Sequence, residues 1–119
     1  MDIKALDKAL QEIVDCKNEL SKVDYSNPKY DDLEEKLHDL EDDFQEEYGD
    51  YLETEIEKIQ DIHCPDNDVL LPIAYLGDGI AVDLKKLPGR DTRLVLAAGP
   101  TRLLIKLGKQ QQEIVWTAK

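Results

Sequence analysis

The sequence predicts an α+β fold. An N-terminal antiparallel α-helical hairpin with a long second helix is followed by a small antiparallel β-meander of about five strands packed on it. Three observations predict this. Apolar residues recur at steps of three and four as far as Ile59. From residue 69 the chain turns to short apolar runs separated by Gly, Pro and Asp. The charge changes sign at the same point: residues 1–68 hold 23 acidic and 7 basic side chains, net −16, and residues 69–119 hold 4 and 8, net +4, which together give the −12 of the whole 119-residue chain.

The first helix is read from Ile3, Leu6, Leu10, Ile13, Lys17 and Leu20, with Lys17 as the one polar interruption and an end near Asp24. The turn "SNPKY" follows. Asn27 is placed to cap the second helix, with Pro28 at its first position, where the missing N–H costs nothing. The second stripe runs Tyr30, Leu33, Leu37, Leu40 and Phe44, then Tyr48, Tyr51 or Leu52, Ile56 and Ile59. The step from Phe44 to Tyr48 departs from a strict heptad, a stutter in what reads as a short coiled coil. Lengths of about 33 and about 51 Å at 1.5 Å per residue leave the second helix overhanging the first beyond Gly49, where a kink or break is expected. The overhang needs a cover for Tyr51, Leu52, Ile56 and Ile59, and the downstream sheet is expected to supply it.

Five strand-like runs follow "DIHCPDND": "VLLPIAYL", "IAVDL", "RLVLAA", "RLLIKL" and "EIVWTA". Their connectors are too short for a crossover helix, so an antiparallel meander is expected. Pro72 marks the first run as an edge or bulged strand. Period two assigns Ile80, Val82, Leu84, Leu94, Leu96, Ala98, Leu103, Ile105, Leu107, Ile114 and Trp116 to the core face. The other face is mixed and includes Val95, Leu104 and Val115, an apolar stripe that invites a homodimer. A sheet of about 50 residues is near the limit of independent stability. One composite domain over 1–119 is therefore expected, with the hairpin at 1–62 and the sheet at 69–119.

The candidate chemistry is sparse. "HCPDND" offers His63, Cys64, Asp66 and Asp68 as metal ligands, without the paired spacing that zinc sites use; the plainer reading is a helix end followed by a proline stop. Cys64 as a nucleophile lacks an identifiable base. "GDG" joins two strands, so it reads as a hairpin turn rather than a phosphate loop. No cofactor is expected. Lys85, Lys86, Arg90 and Arg93 cluster around one loop, with Arg102, Lys106 and Lys109 beyond it. A net charge of −12 repels a phosphate backbone at long range, and few aromatics accompany these bases, which argues against nucleic-acid binding. Cross-strand pairing, such as Asp83 with Arg93, accounts for them instead. A pocket between the sheet and the second helix, with Tyr51, Tyr75, His63 and Cys64, is a further possibility.

The remaining feature is "HDLEDDFQEEYGDYLETEIEK", His38 to Lys58, with ten carboxylates and one lysine. Such a face keeps a helix dissolved. It can also address a basic protein partner, or the cationic sheet of a second copy. A hairpin with Asp24, Asp31 and Asp32 at its tip, followed by a β portion, looks in outline like the Gre-type transcription factors. That resemblance implies tip carboxylates acting on a catalytic magnesium in a nucleic-acid machine, but it rests on outline alone, because no motif matches and the C-terminal part is shorter and lacks a helix. A non-enzymatic interaction protein, homodimeric and presenting an acidic hairpin, is the expected function. No apolar run reaches the roughly 18 residues of a membrane span. The N-terminus lacks the pattern of a signal peptide, and two cysteines make no disulfide framework, so a cytoplasmic location is expected.

Overall fold

A computed structural model describes residues 2–86, 91–108 and 111–119. Two helices precede a four-stranded antiparallel sheet: α1 (Ile3–Ser21), α2 (Lys29–His63), a 3₁₀ turn (Pro72–Tyr75), then β1 (Ile80–Ala81), β2 (Thr92–Ala97), β3 (Arg102–Leu107) and β4 (Gln111–Thr117) in spatial order β1-β2-β3-β4.

Helix α1 starts at Asp2, whose carboxylate accepts from the amide of Ala5 at 3.0 Å, a side-chain cap for one of the orphan donors of the first turn. Its buried stripe is Leu6, Leu10, Ile13 and Cys16. The expected stripe stepped from Ile13 to Lys17; the step of three lands on Cys16 instead. The small thiol is 3% exposed and donates to the carbonyl of Leu33 at 3.6 Å. The side-chain oxygen of Asn27 accepts from the amide of Lys29 at 2.9 Å, while Pro28, expected at the first helical position, stands as the cap residue just before Lys29. Cys16 meets Leu33, while the charge of Asp2 reaches Tyr48, so the two helices run in opposite directions side by side.

Helix α2 passes through Gly49 unbroken, where a kink or break was expected. Gly49 is buried, and a Cβ there would sit 2.2 Å from Nε2 of Gln45. The glycine thus leaves room for Gln45 to lie along the helix and donate to Glu53, eight residues on, at 3.3 Å. The glycine serves a side chain, not a bend.

The overhang is covered by the sheet. Leu52 and Ile56 are fully buried and Ile59 nearly so, in one apolar core with Leu6, Leu10 and Ile13 of α1 and with Val82, Leu84, Leu94, Leu96, Leu103 and Ile105 from the sheet and the segment after β1. Tyr51 packs on Trp116 with ring centroids 6.1 Å apart. A polar clamp joins the sheet to α1: one oxygen of Asp7 accepts from the amide of Gly99 and from the hydroxyl of Thr101, both at 2.9 Å.

Two further sequence expectations change. The run "VLLPIAYL" is no strand. Pro72 opens a 3₁₀ turn, consistent with a fixed φ and a missing amide donor. Tyr75 and Leu76 enter the core, while Val69, Leu70 and Leu71 stay exposed and outside any regular element. The second change lies in β4. Leu103 pairs with Trp116, but Leu104 pairs with Ile114, so Val115 is the extra residue of a bulge. Beyond it every side chain of β4 changes face. Ile114 leaves the predicted core face and is 57% exposed, and Val115 packs against the core.

Candidate interaction surfaces

Asp24, Asp31 and Asp32 are all exposed. A groove of about 510 Å³ beside them is lined by Lys22, Lys29 and Lys36 with Val23, Leu33, Glu19 and Asp32. Its charge is mixed. Tyr25 is 82% exposed and stacks on Tyr30 with centroids 4.5 Å apart. The Tyr25 hydroxyl, then burial and the nearby Glu34 and Asp31, push the Tyr30 phenol up. Among the described residues no three His, Cys, Asp or Glu side chains are grouped to hold a metal ion. That concerns a metal held by this chain alone, whereas the Gre-type outline places tip carboxylates on a magnesium of the nucleic-acid machine. It includes the candidates His63, Cys64, Asp66 and Asp68.

That loop has a structural assignment. The Cys64 amide donates to Gln60 and the His63 carbonyl accepts from the amide of Lys85, which ties the end of α2 to the segment after β1. Asn67 accepts from the amide of Asp83 at 3.0 Å. The Cys64 side chain is 1% exposed; burial first, and then the charge of Asp83, pushes its thiol up. A raised, enclosed thiol is a poor nucleophile. Tyr75 is fully buried, and its hydroxyl accepts from the amide of Leu70 and from Nε2 of Gln60, each at 3.0 Å. Between sheet and α2, Leu52, Ile56 and Ile59 join their sheet partners in one buried core.

The second face of the sheet is less open than its pattern suggested. Val95 and Leu104 are 3% and 4% exposed within the single chain, and Val115 has moved to the core side of the bulge. Ile114 is the large apolar side chain of this strand that meets solvent. Arg93 and Lys106 are cross-strand neighbours in a polar cleft with Asp78 and Asp91. The expected pairing of Asp83 with Arg93 is not made: Arg93 lies opposite Ala81 and reaches the carbonyl of Gly79 at 3.5 Å. Arg102 is used within the β2–β3 turn, donating to Ala98 and Pro100 at 2.8 Å. Lys85 and Lys86 are exposed, whereas Arg90 and Lys109 lie outside the described residues.

The surface that the sequence did not reveal is a groove of about 660 Å³ between α2 and the segment before the 3₁₀ turn. Asp50, Glu53, Thr54 and Glu57 form one wall, at helical steps of three and one. Val69, Leu70 and Leu71 form the other, 40%, 41% and 51% exposed. The missed signal was in the run itself: three consecutive apolar residues before a proline show no period-two alternation.

Among the described residues no helix is long and apolar enough to cross a membrane. No family model matches the chain, and neither the curated proteins nor the solved structures compared with it give a match.

Proposed function

We infer that this chain is a non-enzymatic interaction protein: a homodimer whose long second helix, with α1, forms a coiled-coil arm that presents acidic charge to a basic protein partner. The observation that carries this reading is the uncompensated charge of α2. Between His38 and Lys58 it holds ten carboxylates, and among the described residues the one ion pair it makes is Lys58 with Glu55 at 3.3 Å. Exposed pairs contribute only about 0–1 kcal/mol each, so the arm steers and orients a partner while apolar contacts hold it. The shared core of helices and sheet supports treating residues 1–119 as one composite unit. Both cysteines are free and buried, which suits a reducing compartment such as the cytoplasm.

The dimer part of the reading draws on β4, the last strand of the sheet. Its outer edge is open, seven residues long, and carries the exposed Ile114. Light scattering at about 50 and about 500 mM salt tests it, a range over which the screening length falls from about 14 to about 4 Å. A dimer at both salts that Ile114→Lys converts to a monomer is expected. A dimer at low salt only would place the acidic helices against the cationic sheet of the second copy. A monomer at both salts would remove the dimer from the reading.

A further inference from the structure

We propose that the groove between α2 and residues 69–71 is the docking site for a linear segment of a partner protein, with two or three consecutive apolar side chains flanked by lysine or arginine. The inference rests on the reading of the acidic arm above and adds to it a place and a sequence chemistry.

Three features select that occupant. The apolar wall is contiguous and uncovered: Val69, Leu70 and Leu71 are the one run of neighbouring large apolar residues that stays exposed among the described residues. The opposite wall supplies Asp50, Glu53 and Glu57, and among the described residues no lysine or arginine lines the groove. A ligand with apolar residues alone would leave those carboxylates partly desolvated without partners, and one with basic residues alone would leave the apolar wall wet. The third feature is the backbone. Leu71 is extended (φ −61°, ψ 141°), and the Leu70 amide is turned inward to the Tyr75 hydroxyl. The amides of Val69 and Leu71 have no acceptor among the described residues, which leaves them to donate to carbonyls of the ligand. The inner side is fixed from behind, because Gln60, 2% exposed, donates to the Asp68 carbonyl at 3.4 Å and to Tyr75. The groove wall is therefore held in place before any ligand arrives, which lowers the ordering cost of binding.

The test is a titration of the ¹⁵N-labelled full chain, followed by NMR, with the amidated peptide Lys-Lys-Leu-Val-Leu-Lys-Lys. Two comparison peptides replace its flanks with glutamate or its centre with serine. The expected result is saturable shifts confined to residues 50–57 and 69–71, and binding at least about fivefold weaker, about 1 kcal/mol, for either comparison peptide. Leu71→Ser and Asp50→Lys/Glu57→Lys, all at exposed positions, should each weaken the first peptide about fivefold or more. Ile62→Ser, at an apolar position 65% exposed and outside the groove, should change nothing. Equal binding of the serine-centred peptide would overturn the proposal, since charge alone would then suffice. Concentration-dependent shifts at Val69–Leu71 without peptide would overturn it too, by assigning the groove to a second copy. If no peptide binds at about 1 mM yet polylysine still shifts the outer face of α2, the groove fails and the acidic arm stands. If polylysine is also without effect, both fail.

Discussion

Asp7 to alanine is the substitution that most directly tests how the sheet is fastened to the helices. One carboxylate oxygen of Asp7 holds the amide of Gly99 and the hydroxyl of Thr101, each at 2.9 Å, across more than ninety residues of chain. The two donors differ in what they lose. Gly99 is exposed, so water can replace its acceptor and the loss is about 0.5 kcal/mol. Thr101 is fully buried, so its hydroxyl is left without an acceptor at a cost of about 1–3 kcal/mol. The expected total is about 2 kcal/mol, read from urea unfolding followed by circular dichroism and by Trp116 fluorescence. Thr101→Val removes the stranded hydroxyl without changing the side chain's shape. The double variant Asp7→Ala/Thr101→Val should therefore be no less stable than Asp7→Ala alone, with a coupling of about 1 kcal/mol in the cycle. A loss below about 0.5 kcal/mol for Asp7→Ala, or strict additivity of the two changes, would refute the clamp.

Three further outcomes are expected. Burial pushes the thiols of Cys16 and Cys64 up, so the native state holds these protons at a pH where the unfolded chain releases them. Their contribution to stability is thus complete below the unfolded thiol pKa of about 8.5 and is lost as pH rises past it; urea midpoints between pH 8 and 9.5 should fall, and less steeply in Cys64→Ala. Gly77 and Gly79 share a positive φ, but a Cβ at Gly77 meets open space while one at Gly79 would lie 2.3 Å from the Leu94 carbonyl oxygen. Gly77→Ala should cost about 1 kcal/mol and Gly79→Ala clearly more, and equal losses in denaturation would count against the turn geometry. Gly49→Ala displaces only the flexible end of Gln45 and gains helix propensity, so a rise in stability of about 0.5 kcal/mol is expected; a loss above 1 kcal/mol would mean that the helix cannot accept the methyl group.

The helices were legible because period 3.6 survives local detail. Leu6, Leu10, Ile13, Leu37, Phe44, Leu52, Ile56 and Ile59 all read correctly as core from spacing alone. The strand faces were legible only as far as the first irregularity. Leu94, Leu96, Leu103 and Ile105 alternate into the core, but the bulge at Val115 has no sequence signature of its own and reverses the remainder of β4. "VLLPIAYL" was misread for a different reason: its apolar content is shared between a wall left outside and a 3₁₀ turn carried inside, and composition cannot separate the two. The groove followed from that same error, since an expected strand gave no reason to look for an exposed flank beside Glu53. The charge asymmetry was plain, yet the mixed charge at the tip was not, because Lys22, Lys29 and Lys36 converge only once α1 and α2 lie together.

The uninterrupted passage of α2 through Gly49 has a mechanical meaning. One half of the helix lies against α1 and the other half against the sheet, so a single rod about 52 Å long joins the two. An unbroken hydrogen-bonded rod tilts rather than folds when pushed at one end. A rotation of about 5° at the sheet would swing the far tip by about 3 Å over the roughly 30 Å between them, enough to separate or join side chains there. Tyr30, on which Tyr25 stacks at one end, and Ile56 in the core beneath the sheet are thus held at a fixed spacing by one continuous element.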